Sequence, residues 1–211
     1  MTQTIFIQGN TFTLHPTGCL YWKERKMLMI ADVHLGKISH FRKSGMAVPS
    51  GPVKANFTQL DKALNIFEVD VLCFLGDLFH SEFNNEWNLF EEWVSSQQVN
   101  IVLVAGNHDI LTSEHYENIG IKVCSEWVIE DFLLTHHPQD TPGFFNFAGH
   151  VHPGVKLRGS GKQWLKLPCF FKKENQLILP AFGKFTGIYL MVPTANDCVY
   201  AVTKDEVVLV C

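Results

Sequence analysis

Short, almost wholly apolar runs alternate with amphipathic stretches over the first half of the chain. The runs Met27–Ala31 (MLMIA), Val71–Leu75 (VLCFL) and Ile101–Ala105 (IVLVA) each stop at polar residues or glycine, as strands buried on both faces do. Between the first two lies VKANFTQLDKALNIFE, with Phe57, Leu60, Leu64 and Phe67 at spacings of three, four and three. Between the second and third lies NNEWNLFEEWVSSQ, with Trp87, Phe90, Trp93 and Val94 on one side. Both stretches read as amphipathic helices. Strands alternating with helices predict right-handed crossovers in a largely parallel sheet.

The second half reads differently. Trp127–Ile129, Phe132–Thr135, Phe145–Ala148, Ile188–Val192, Val199–Val202 and Val207–Val210 look like further strands with few helical signals among them. A second sheet packed on the first is therefore expected. Gly45–Pro52 and Gly154–Gly161 carry the Gly and Pro spacing of surface loops, and no internal repeat or low-complexity linker is evident. The predicted class is α/β (α+β), two packed mixed β-sheets flanked by helices, in a single domain over residues 1–211, a length that can bury one good core.

Polar clusters sit where the apolar runs stop. They are Asp32-Val33-His34, Gly76-Asp77, Gly106-Asn107-His108-Asp109, His136-His137 and Gly149-His150-Val151-His152. In open sheets, ligand-handling residues gather beyond the carboxyl ends of strands. Each cluster alone has an ordinary structural explanation: Gly-Asp is a common turn, Asn-His-Asp a helix cap, and two alternate histidines a surface pair. Together they read as one metal site. Carboxylate, carboxamide and imidazole donors in one set suit Mn, Fe or Zn better than an all-oxygen calcium site. Asp32, His34, Asp77, Asn107, one histidine of the 136–137 pair, His150 and His152 exceed the roughly three protein ligands of one catalytic ion. Two divalent ions sharing a carboxylate fit, and hydrolysis of a phosphate ester by a hydroxide between them is the natural chemistry.

His108 is the candidate acid for the leaving group, because it lies next to Asn107 in the chain and is not needed as a ligand. Asp109 is the candidate to fix its tautomer or raise its basicity. His80, in GDLFHS, Lys156 and Arg158 are candidate contacts to substrate phosphate, with His15, His40 and His115 weaker candidates.

Charge changes the picture of the substrate. The net charge of −4 argues mildly against a protein coated for nucleic acid. Residues 35–60 and 153–185, however, together carry +10, and the rest of the chain −14. Both windows follow metal-ligand clusters, so a basic rim that holds a polyanion by its phosphates is expected. Trp164, Phe41, Phe170 and Phe171 interleave these bases, as base-stacking platforms or as core. Six cysteines without CxxC pairing read as buried, reduced thiols. No apolar stretch approaches a bilayer span, and the amino terminus lacks a secretory pattern. A cytoplasmic protein without membrane association is expected.

The order D-x-H, GD, GNHD, H, GHxH resembles the calcineurin-like metallophosphoesterase superfamily over about residues 28–153, with every motif intact. ADVHLGKISHFRKSG, GDLFHS, GHVHPGVKLRGSG, LPCFF and LPAFGKFTG further resemble the ligase-associated DNA damage response endonuclease (PdeM) group. The resemblance implies a metallophosphoesterase-type sandwich holding two metal ions, with Mn foremost. It implies Asp32, His34 and His152 on one ion, Asn107, His136 and His150 on the other, and Asp77 between them. His136 is taken over His137 because it directly follows its strand, which leaves His137 to face substrate. The implied activity is phosphodiester hydrolysis, as a nuclease on DNA in repair with DNA ligase and helicase partners. The alternative is a phosphodiesterase or pyrophosphatase acting on a small nucleotide or metabolite. Oligomeric state has no sequence signal.

Overall fold

The computed structural model describes residues 1–37, 51–81, 83–159, 161–184 and 186–211. The chain opens with a meander, β1 (Gln3–Ile7), β2 (Asn10–Leu14) and β3 (Leu20–Trp22), and then β4 (Met27–Ile30). The β1–β2 turn uses Gln8 and Gly9, at φ 47° and 76°, the left-handed pair that tight hairpins require. Helix α1 (Gly51–Leu64), β5 (Val71–Leu75), α2 (Asn85–Ser96), β6 (Asn100–Val104), the short α3 (Ser113–Glu117) and β7 (Ile121–Cys124) follow. These seven strands form one sheet in sequence order, antiparallel from β1 to β4 and parallel from β4 to β7. The predicted strand and helix alternation is present. Asn84 caps α2 by accepting the Glu86 N–H at 2.8 Å.

Among the described residues the second sheet has nine strands. β8 (Glu126–Ile129), β9 (Phe132–Thr135), β10 (Phe145–Ala148), β13 (Gln176–Ile178), β12 (Trp164–Lys173), β11 (Pro153–Arg158) and β14 (Tyr189–Leu190) lie in that spatial order, and β15 (Cys198–Val202) with β16 (Val207–Leu209) extends from β12. Parallel and antiparallel pairs mix.

Residue alternation assigns the layers. Met27 and Met29 of β4 pack with Phe12, Trp22, Phe132, Phe147 and Phe170 between the two sheets. Leu28 and Ile30 point the other way, toward Leu60 of α1 and Phe90 and Trp93 of α2. Burial on both faces is why β4, β5 and β6 read as unbroken apolar runs.

Two loop expectations need correction. Residues 45–50 lie outside the described residues, but Gly51 and Pro52 belong to α1, whose first turn needs no donor from proline. Gly154–Gly161 is mostly strand, since β11 runs from Pro153 to Arg158 between β12 and β14. Gly154 marks a close approach there: a Cβ would lie 2.0 Å from Ile188 Cγ2. The cysteines are free, but only Cys19, Cys73 and Cys169 are buried, and Cys211 is exposed. No helix among the described residues is long and apolar enough to cross a membrane.

Candidate metal centre

Every candidate ligand lies within four residues of a strand end. Asp32 and His34 follow β4, Asp77 follows β5, Asn107 follows β6, His136 follows β9, and His150 and His152 lie between β10 and β11. The facing ends of the two sheets bring them together. Donor atoms of Asp32, His34 and His152 lie within 4.8 Å of one another, as do those of Asp32, Asp77 and His136, and those of His136, His137 and His150. Asp77 lies between, with Oδ2 3.7 Å from His34 Nε2 and Oδ1 3.3 Å from His136 Nε2.

The backbone is bent to make this possible. Among the described residues nine other than glycine have positive φ, and five of them are Asp32, His34, Asp77, His150 and His152. Such conformations cost roughly 1–3 kcal/mol each and collect at functional sites. Backbone bonds over-determine them: the Asp32 N–H donates to Gly76 O at 3.2 Å, the His34 N–H to Asp77 O at 2.9 Å, and the His150 N–H to Asp32 Oδ2 at 2.9 Å.

His136 shows what the pocket is built to hold. Its Nδ1 lies 3.0 Å from the Leu75 carbonyl oxygen, which can only accept, so Nδ1 carries a proton and Nε2 faces inward. Nε2 meets Asn107 Oδ1 at 3.0 Å, Asp77 Oδ1 at 3.3 Å and His150 Nδ1 at 3.1 Å. Electron pairs converging in a buried place require a cation between them or an added proton. Mixed oxygen and imidazole donors fit a divalent transition metal, and the bond from the far ring nitrogen to a carbonyl is the usual support of a ligating histidine.

Burial disfavours charge on two of the rings, His34 and His150. Burial, the nearby Lys37 and the neighbouring His152, His80 and His108 push His34 down to about 2. Burial, with His137 and His136, also holds His150 below the usual histidine range. A neutral imidazole is the form that binds metal.

Around this cluster lie the other candidates. The His108 ring stacks on His80 with centroids 3.9 Å apart, and the His108 N–H donates to Asp77 Oδ1 at 2.9 Å. His80 Nδ1 is 3.2 Å from His34 Nδ1. The exposed His137 packs its ring 3.9 Å from that of His150. Asp109 does not engage the His108 ring. Its Oδ1 accepts the N–H groups of Leu78 and Phe79, both at 2.9 Å, and its Oδ2 that of Gly106 at 2.8 Å, so it ties the loop after β6 to the loop after β5. Burial pushes its carboxyl up to about 6, against the pull of those N–H groups. Lys156 and Arg158 are exposed on β11, over the ring of Trp164 at 4.3 and 5.9 Å. Phe170 and Phe171 are core. His115 pairs with Thr112 at the start of α3. His40, Phe41, Arg42 and Lys43 lie outside the described residues.

Sequence reading missed Glu86. This buried carboxylate accepts the Gly36 N–H at 2.8 Å and fixes the turn after His34. Its signal was an acid one turn before Phe90, on the inward stripe of α2.

A model of the calcineurin-like phosphoesterase family matches residues 25–184. The chain belongs to that family. This phosphoesterase is also similar to the nuclease MPE of Pseudomonas putida, with 32% identity, a TM-score of 0.85 and 100% of each chain covered, a likeness consistent with the narrower group named above. A protein of unknown function from Aquifex aeolicus shares 22% identity over 60% of this chain and 78% of its own, with a TM-score of 0.45. No curated protein matches at a significant level. The protein is a metal-dependent phosphoesterase whose fold is the two-sheet sandwich of that family.

Proposed function

We propose that this phosphoesterase is a nuclease that cleaves phosphodiester bonds of DNA with two manganese ions, in a cytoplasmic DNA repair system with DNA ligase and helicase partners. The reading takes residues 1–211 as one catalytic domain. Asp32, His34 and His152 hold one ion, Asn107, His136 and His150 the other, and Asp77 serves both. The observation that supports this most is the place of Asp77, one oxygen toward His34 and the other toward His136. The full-length likeness to a protein described as a nuclease supports the choice of substrate.

When bound, the ions neutralise phosphate oxygens and bring a water's pKa toward neutrality. The chain supplies the rest. His34 and His150 stay neutral because burial disfavours their charge. His108 gives a proton to the leaving oxygen. Its backbone is tied to Asp77 and its ring is stacked on His80, which fixes the ring beside the cluster. Asp109 acts on His108 only through the loop it anchors. His80, His137, Lys156 and Arg158 face the phosphates of the substrate.

Digestion of labelled single-stranded and duplex DNA beside small nucleotides, in manganese, tests the reading. Cleavage of DNA that weakens with salt supports it. Hydrolysis of small nucleotides alone would move the substrate to that class.

A further inference from the structure

An open cleft of about 1030 Å³ begins at His152 and runs between α1 and the segments 180–184, 186–188 and 202–205. Its helical wall is one stripe of α1, on which Ala55, Thr58, Gln59 and Lys62 recur at helical spacing. The opposite side carries Lys184 and Lys204. Among the described lining residues these three lysines face one acid, Asp205, which reverses the sign of a chain whose net charge is −4.

The wall next to the metal centre is pinned. The Phe182 N–H donates to Ala31 O at 2.9 Å and the Gly183 N–H to Asp32 O at 3.1 Å. The Lys184 N–H donates to Asn56 Oδ1 on α1 at 3.3 Å. Gln59 closes the arrangement, with Nε2 3.1 Å from Thr17 O and 3.3 Å from Phe182 O. Lys184 is thus carried one residue beyond a backbone bond to Asp32.

The volume lies at the upper end of the roughly 300–1,000 Å³ of ligand pockets, and the cleft is open, so a length of polymer can lie in it. Phe182, the one aromatic side chain other than histidine among the described lining residues, is buried. Among the described lining residues that leaves His15 and His152 as the only other aromatic rings. Lysines hold a chain by its phosphates.

We infer that this cleft holds the nucleic-acid strand leading away from the scissile phosphate, with Lys184 beside the metal centre and Lys62 and Lys204 gripping further phosphates. The inference rests on the nuclease reading above. It assigns the strand path to residues outside the metal cluster.

The test uses the full chain in excess manganese. Lys62→Glu, Lys204→Glu and the double variant, all at exposed positions, are assayed on a fluorescent oligothymidylate 20-mer and on bis(p-nitrophenyl) phosphate, which is too short to follow the cleft. The ratio of kcat/KM on the oligonucleotide to that on the small diester falls about tenfold in the double variant. The slope of log affinity against log salt falls by about 0.7 per lysine, as for one single-strand phosphate contact. An unchanged ratio and slope, or an equal loss on both substrates, overturns the strand path. A wild-type protein that hydrolyses the diester and leaves all DNA intact overturns the nuclease reading instead.

Discussion

The Leu75 carbonyl and the His136 ring meet at 3.0 Å, and this contact orients the inward-facing nitrogen of the metal cluster. It joins the end of β5 in one sheet to the end of β9 in the other. Gly76 lies against it: a Cβ there would sit 2.1 Å from His136 Nδ1, and its φ is 80°. Gly76→Ala should lower stability by about 2–5 kcal/mol, combining the left-handed penalty with overpacking, and should weaken metal binding as His136 is displaced. Urea denaturation and metal titration measure both.

His108→Asn removes the proposed acid and spares the ligands. Turnover should fall by about 10²–10⁴-fold, while metal content stays near that of the wild type by elemental analysis. Loss of metal together with turnover would make His108 a ligand.

Asp109→Asn leaves one carbonyl oxygen where a carboxylate accepts three backbone N–H groups. Each hydrogen bond to a charged group contributes about 1.5–3 kcal/mol. A loss of at least that size is expected in denaturant titration. The pH dependence of the residual activity should keep its shape, because the carboxylate does not touch the His108 ring.

Thiol accessibility should separate the cysteines. Burial pushes Cys19 and Cys169 up to about 12 and raises Cys73 further. In the native protein these three should resist iodoacetamide at neutral pH, since the thiolate is the reactive form, whereas the exposed Cys211 reacts. Mass spectrometry of the labelled protein reads the pattern.

The parallel half of the fold and the metal cluster were legible for one reason: strands buried on both faces leave apolar runs, and donors at their ends stand out against them. β12 was not legible. It places Pro168 and Lys172 inside a strand whose first half is exposed and second half buried, so neither alternation nor an apolar run marks it. β1 and β2 carried a readable signal in the inward Ile5, Ile7, Phe12 and Leu14 around the Gln8-Gly9 turn. The supports of the site were hidden more deeply. The Leu75 carbonyl is a backbone atom with no sequence signature, and the role of Asp109 follows from a loop contact 30 residues back in the chain. Sequence named the side chains that the fold brings together, but not what aims them.

The most direct test is elemental analysis of protein equilibrated with manganese and freed of unbound ion, paired with hydrolysis of bis(p-nitrophenyl) phosphate. The account predicts about two ions per chain, with hydrolysis lost on chelation and regained when manganese is returned. One ion or none at saturation, or hydrolysis that survives chelation, would contradict it.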